Sequence, residues 1–468
     1  MFVKHISLYT IGQIIPKAAG FFLLPLYTYY LSPEEYGIVQ SMQVLASILT
    51  VVMTLSIERS IYRLYFDYKL IDEKRTYLGT TTLSIISIST VIVILLFIMR
   101  SIVTLLFQSI SFFPYFAYII ITVFFTILGI IPKIFFQIEE KPIKFITFSL
   151  SEFFLKTTTI IYFIVFLGRG AEGMLMGGLI TAILLSPIYI YVISKIIIPK
   201  WDFNMFKESI KYGYPMVFGL LSAWILNLSD RVFIEQYYSI TDVGIYSVAY
   251  KIPELLLVFT AAIGLAYNPM FFKIANDKNK NSKQILSVYN NYIILCIIMF
   301  AMIITMFSKE FIMLLGDKYQ SAYALVSLIM VGILFSQVGG IFNRAYYQAK
   351  NTFPPTLIGI TTAIINILLN FILVPKYGSY GAAYSTIISF VFLFGLNYYF
   401  SKNYYFIPII WSEVLPVFIL FIISTIFFYS FQFSLFIGLL LKCSLIILVC
   451  LFFWYKYKDA LLKKPIQT

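Results

Sequence analysis

The chain has 468 residues, of which 60% are hydrophobic and only 12% are charged, whereas soluble domains carry about 25% charged residues. Mean hydropathy is +0.90 and the formal net charge is +13. A surface this apolar must face lipid, which excludes a water-soluble enzyme. In lipid the backbone has to satisfy its own hydrogen bonds, as helices or as a closed barrel. The apolar runs are about 20 residues or longer and do not alternate, which selects helices over barrel strands.

The three cysteines, Cys296, Cys443 and Cys450, lie in apolar runs without CxxC or zinc spacing, and the single histidine is His5. No metal site, no cofactor and no catalytic group is therefore expected. The lysines and arginines sit mostly in short loops between apolar runs, a distribution that argues against nucleic acid. The first apolar run is interrupted by Lys17 and continues to Leu31, which does not read as a cleavable signal peptide.

In chain order the pattern predicts fourteen spans, at about 6–31, 36–56, 79–106, 113–137, 145–167, 172–194, 211–238, 243–272, 286–307, 319–348, 355–375, 380–401, 408–429 and 435–455. With the amino terminus inside, 24 of the 34 lysines and arginines fall near inner span ends. Five fall outside (Arg100, Arg169, Lys309, Lys318 and Lys376) and five within spans (Lys17, Lys156, Arg231, Lys251 and Lys442). This asymmetry predicts that both termini are cytoplasmic. The loop before span seven carries an amphipathic piece, Phe203 to Tyr212, expected to lie on the inner surface and join two halves.

Two markers recur. Ser32, Glu35 and Gly37 after span one match Ser239, Asp242 and Gly244 after span seven at an offset of 207 residues. Gly170 and Gly173 match Gly378 and Gly381 at an offset of 208. An even number of spans separates equivalent positions, so the halves share one orientation and an axis along the membrane normal. The expected architecture is an all-α integral membrane protein: a six-helix lobe at 1–200, a second at 201–403, and two further helices at 404–468. The paired glycines fit tight helix-to-helix turns or close backbone approach.

Several short pieces together carry a resemblance. They are Leu24-Pro-Leu; Leu31-Ser-Pro-Glu-Glu-Tyr-Gly37; Asp230-Arg231-Val-Phe-Ile; Val243-Gly-Ile-Tyr-Ser-Val-Ala-Tyr-Lys251; Asn366-Ile-Leu-Leu-Asn370; and Val374-Pro-Lys-Tyr-Gly-Ser-Tyr-Gly-Ala-Ala383. Over about residues 5–400 the chain resembles the Wzx-type polysaccharide-biosynthesis flippases. Their superfamily also holds the multidrug exporters and the peptidoglycan-precursor flippases. The resemblance implies a bacterial inner-membrane protein, not an enzyme. It would move undecaprenyl-diphosphate-linked oligosaccharide units for O-antigen, capsule or a similar surface polysaccharide. It would work beside a polysaccharide polymerase and a chain-length regulator. It also implies that basic residues of span one, here Lys17, meet the lipid diphosphate between the lobes.

Ionisable groups within spans are costly and are candidates for function. Glu152 and Lys156, four residues apart, can pair on one face of span five. Arg231 and Glu235 have the same spacing, Lys251 and Glu254 are three apart, and Asp230 is placed to bridge to Lys251. Each of these pairs also reads as a structural lock. Arg59 and Arg63 share a face at the inner end of span two, where arginine suits a diphosphate and equally suits positive-inside anchoring. The expected substrate-binding set is Lys17, Arg59, Arg63, Lys156, Arg231 and Lys251, with Glu152, Asp230, Glu235 and Glu254 as a coupling or charge network. Asn366 and Asn370 read chiefly as glue between helices. A cation-coupled multidrug exporter is the rival transporter, and it would need a deep carboxylate; span one has none. A membrane polysaccharide polymerase or ligase would carry a large outer loop, and none is expected here.

Overall fold

The structure, a computed structural model, describes residues 15–16, 19–277, 281–431 and 433–462; Lys17 lies outside them. Regular structure among the described residues is entirely helical. Among the described residues ten helices are long and apolar enough to cross a membrane, or eleven if one bent pair counts as a single span. The chain is thus a multi-span helical membrane protein. Within Phe353–Ser401 two helices meet at a kink, where Gly378 has φ 58° and ψ −135°, between the expected spans eleven and twelve.

The elements used below are α1 (Leu24–Tyr30), α2 (Pro33–Thr54), α3 (Ile57–Leu64) and α4 (Ile71–Ile98). Then come α5 (Phe112–Ile138), α6 (Pro142–Phe166) and α7 (Gly170–Ile196). The second half has α8 (Phe203–Leu228), α9 (Asp230–Tyr237), α10 (Ile240–Lys251), α11 (Glu254–Asn276), α12 (Ser282–Met306) and α13 (Ser308–Leu314). It ends with α14 (Ala322–Ile341), α15 (Asn343–Gln348), α16 (Phe353–Ser401), α17 (Trp411–Ser430) and α18 (Leu435–Leu462).

Local chemistry sets the ends. Ser32 caps α2 by accepting from the Glu35 amide at 3.1 Å, while Glu35 accepts from the Ser32 amide at 2.8 Å, a reciprocal capping box. Ser239 caps α10 in the same way, accepting from the Asp242 amide at 3.1 Å. The expected surface segment Phe203 to Tyr212 is instead the first part of α8. The Asp202 carboxylate caps it through the amides of Asn204 and Met205 at 2.9 and 3.0 Å. Nothing between Phe203 and the apolar run stops the helix, so it continues into the span.

Three breaks interrupt the spans. Leu55 and Ser56 are both left-handed, at φ 47° and 57°, and separate α2 from α3. A left-handed non-glycine residue costs roughly 1–2 kcal/mol, so the surroundings must hold this turn. α8 and α9 meet at a 49° bend beside Ser229. Ile252 and Pro253 separate α10 from α11, where proline cannot continue the ladder.

Many large apolar side chains point outward, among them Phe166 at 74%, Phe436 at 73% and Ile98 at 72% exposure. They form the surface for lipid. The buried core runs through both halves and is densest where α2 packs on α10 and α14 on α16. α17 packs on α12. α18 is fastened by Lys442, whose ammonium holds both carboxylate oxygens of Glu310 on α13 at 2.6 and 2.8 Å.

Candidate functional site

The halves of the chain meet most closely near the amino-terminal ends of α2 and α10. A Cβ on Gly37 would run into the Ile240 carbonyl, and one on Gly244 into the Pro33 carbonyl. Around this contact the Tyr319 hydroxyl donates to the Leu31 carbonyl at 3.2 Å, and the Ser109 amide donates to Glu235 at 2.6 Å. Trp224 on α8 adds a bond to the Val44 carbonyl at 3.1 Å. The backbones of the two halves are in direct contact here. Among the described residues α6 and α11, one from each half, bury few of their side chains, whereas α10 is largely buried.

Asp230 stands at the 49° bend and is fully buried. It accepts from the Tyr246 hydroxyl at 2.7 Å, the Asn370 amide at 3.0 Å and the Thr386 hydroxyl at 3.0 Å. The expected bridge to Lys251 is replaced by this neutral cage. Asn366 accepts from Asn370 at 3.2 Å within its own helix and donates to Ser389 at 3.2 Å, while the bond from Asn370 to Asp230 joins α16 to α9, the expected glue between helices. The Oδ1 of Asn370 is buried without a partner. A carboxylate beside a free amide oxygen can accept a proton or a small cation.

The expected Arg231–Glu235 pair is absent. Arg231 is 2% exposed, donates to the Asn227 carbonyl at 2.7 Å, and lies over the rings of Tyr250 and Tyr246 at 4.5 and 5.5 Å. The ring faces hold the cation where the carboxylate was expected. Glu235 turns instead to the Ser109 amide in the first half of the chain.

The expected Glu152–Lys156 pair is also replaced. Glu152 binds Lys133 on α5, and the Tyr189 hydroxyl on α7 donates to it at 3.2 Å. Packing between helices outcompetes the pairing along one helix. Lys156 is exposed and in none of the ion pairs among the described residues. Lys251 and Glu254 do pair, at 2.8 Å, with side chains 29% and 33% exposed. The Ile252–Pro253 break lies between them. Arg59 and Arg63 are on α3, beyond the Leu55–Ser56 turn. Both are exposed, Arg63 binds Asp67, and Arg59 is 3.7 Å from Glu58.

The structure thus gathers Asp230 and Arg231 in one buried site and Lys251 with Glu254 on the next helices. It sets Glu152 and Lys156 apart in the first half and Arg59 and Arg63 at the end of α3. Among the described residues no three His, Cys, Asp or Glu side chains come together to hold a metal. Three groups escaped the sequence reading. Lys133 and Arg344 sit near span ends, and the sequence reading counts them only with the inner positive charges. Glu310 gave no sign that it would meet Lys442, 132 residues away.

The family described as "Polysaccharide biosynthesis protein" matches residues 29–324. The chain is 25% identical over 290 residues to the "Lsg locus putative protein 1" of Haemophilus influenzae, covering 59% of this chain and 67% of that protein. It is 22% identical over 223 residues to the "Probable low-salt glycan biosynthesis flippase Agl15" of Haloferax volcanii, covering 46% of each. The chain thus spans two thirds of the first relative and about half of the second. In fold it is similar to a solved structure of the lipid II flippase MurJ in an inward closed conformation. The TM-score is 0.77 at 19% identity, with 97% of this chain and 100% of that one covered.

Proposed function

This chain belongs to the polysaccharide biosynthesis protein family, and from there we propose that it is a flippase carrying a lipid-linked oligosaccharide across the membrane by alternating access. The observation that carries this reading is the contact of Gly37 with Gly244. Residues equivalent at an offset of 207 meet each other, which is what a two-fold axis along the membrane normal produces. Gly170 and Gly378, the second marker, share positive φ, 53° and 58°. We read two six-helix lobes, 1–200 and 201–403, with two further helices, fourteen spans in all. The closed glycine end faces outward and the basic loops face the cytoplasm of a bacterial cell. Two like lobes sealed at one end form a transporter that opens to each side in turn.

The substrate is read as an undecaprenyl-diphosphate-linked unit for O-antigen, capsule or a related glycan, passed on to a polymerase and its chain-length regulator. Its diphosphate leaves water and needs fixed positive charge, since an unpaired anion in low dielectric costs several kcal/mol. Lys156 from the first lobe and Lys251 from the second meet this demand, with Arg59 and Arg63 at the inner mouth and Lys17 added by the resemblance to the family. Arg231 is enclosed by its tyrosines and serves the Asp230 site. That site is the coupling candidate: taking up a proton or cation at the bend changes the charge beside Arg231. Asp230 is also the deep carboxylate that a cation-coupled multidrug exporter would need; the match of residues 29–324 to the polysaccharide biosynthesis family favours the flippase.

The test is transport by the purified chain in proteoliposomes loaded with an undecaprenyl-diphosphate disaccharide. A membrane-impermeant glycosidase should reach only the outer leaflet's share without the protein and nearly all of the lipid with it. An unchanged accessible share rejects the reading.

A further inference from the structure

A polar ladder joins α11 to α14 and α15. Thr260 donates to Gln337 at 2.7 Å, Arg344 donates through Nε to Asn268 Oδ1 at 2.9 Å, and Gln348 donates to Asn276 at 2.7 Å. On α11 the rungs are eight residues apart, so they climb about 24 Å at 1.5 Å per residue and wind around the helix by about 80° from one rung to the next. Asn268 and Asn276 are exposed. Asn276 ends the helix, but Asn268 lies within it, where an exposed amide is costly against hydrocarbon, so this part of the ladder lines polar space.

Only one rung is charged. The Arg344 guanidinium lies 4.8 Å from the Tyr267 ring centre, and its Nη1 is buried with no partner. Arg344 is in none of the ion pairs among the described residues. Its neighbour across the ladder is an asparagine, which accepts a hydrogen bond but leaves the positive charge uncompensated. The ring fixes the guanidinium plane, and Asn268 occupies the Nε edge. A planar cation, oriented and with donors to spare, is suited to a phosphate.

We propose that Arg344, positioned by Asn268 and Tyr267, is a phosphate-binding residue for the diphosphate of the transported lipid. This rests on the flippase reading. It adds to that reading a site on the second half of the chain, reached from the end where α11 and α15 finish. The polar rungs on either side would meet sugar hydroxyls.

The test uses the full chain in phosphatidylcholine nanodiscs, with undecaprenyl diphosphate, phosphatidylglycerol and inorganic pyrophosphate as probes. Arg344→Ala should weaken undecaprenyl diphosphate binding by about 10- to 100-fold, the range for a charged hydrogen-bonding partner. Arg344→Lys should keep part of it, and inorganic pyrophosphate should compete. Asn268→Asp provides the control for folding. Its carboxylate would pair with Arg344 and strengthen the helix contact, so thermal stability should hold or rise while diphosphate binding falls as in Arg344→Ala. Unchanged binding in both variants overturns the assignment and leaves the flippase reading standing. Equal loss of phosphatidylglycerol and undecaprenyl diphosphate also overturns it, since the site would then hold bulk lipid. Absence of undecaprenyl diphosphate binding by the unaltered chain rejects the flippase reading and this assignment with it.

Discussion

Gly37 and Gly244 hold the two halves of the chain backbone against backbone. A Cβ on either would lie 3.1 Å from the other's amide nitrogen, besides meeting a carbonyl. No side chain stands between the helices, so the seal at this end depends on both residues being glycine. Gly37→Ala and Gly244→Ala should each force α2 and α10 apart, at a cost of about 1–3 kcal/mol to the closed form. Cysteine placed at Ser32 should then react faster with an impermeant thiol reagent, and transport should fall without loss of protein. Unchanged reactivity in both variants would show that the contact is not the seal.

The orientation of the spans is open to direct chemistry. Single cysteines at Ser32, Arg169 and Lys376 in a cysteine-free background should react with an impermeant reagent in intact cells or spheroplasts. Cysteines at Lys74 and Lys200 should not. The reverse pattern would invert the reading from the charge distribution.

Much of the scaffold was legible because lipid enforces simple rules. The runs from Pro33 to Thr54 and from Gly170 to Ile196 are spans that composition alone finds. The two glycine markers could be read because only glycine tolerates the contact at Gly37 and the positive φ at Gly170 and Gly378. The charge network was less legible. Spacing along one helix suggested Glu152 with Lys156 and Arg231 with Glu235, yet Lys133, Tyr189 and Tyr250 on other helices and the Ser109 amide in a turn reach those groups. Such partners depend on how helices rotate against one another, which one sequence does not record. Lys251 with Glu254 was legible because a break holds both residues in one local turn.

Glu58 supplies a pH dependence. It lies on α3, beyond the first break. Its side chain is 15% exposed, and one carboxylate oxygen is buried without a partner. Burial pushes its carboxyl above the usual range, opposed by the Thr54 hydroxyl and Arg59. The native state therefore holds this proton to higher pH than the unfolded chain does. Stability from this group is greatest below the ordinary glutamate value and is lost as pH rises through the raised one. Glu58→Gln removes the ionisation. Its thermal stability in detergent should exceed that of the unaltered chain near neutral pH, and the gap should close in acid. Parallel curves at every pH would exclude Glu58 as the source.

Lys251 separates substrate binding from structural locking. Its pair with Glu254 is about a third exposed on both sides, so the pair contributes no more than about 1 kcal/mol to stability. Lys251→Ala should therefore leave the protein abundant and inserted. If Lys251 holds the diphosphate, export should nevertheless fall strongly, because the second half loses a cation where the anion leaves water. If its task is to neutralise Glu254, the loss comes from the stranded carboxylate, and Lys251→Ala/Glu254→Ala should restore export. Under the binding role the double variant remains abundant and fails to export. Export from each variant is read as surface glycan, with protein level measured in the same cells. Full export from the double variant removes Lys251 from the substrate site, and failure of the double with normal export from Glu254→Ala places it there.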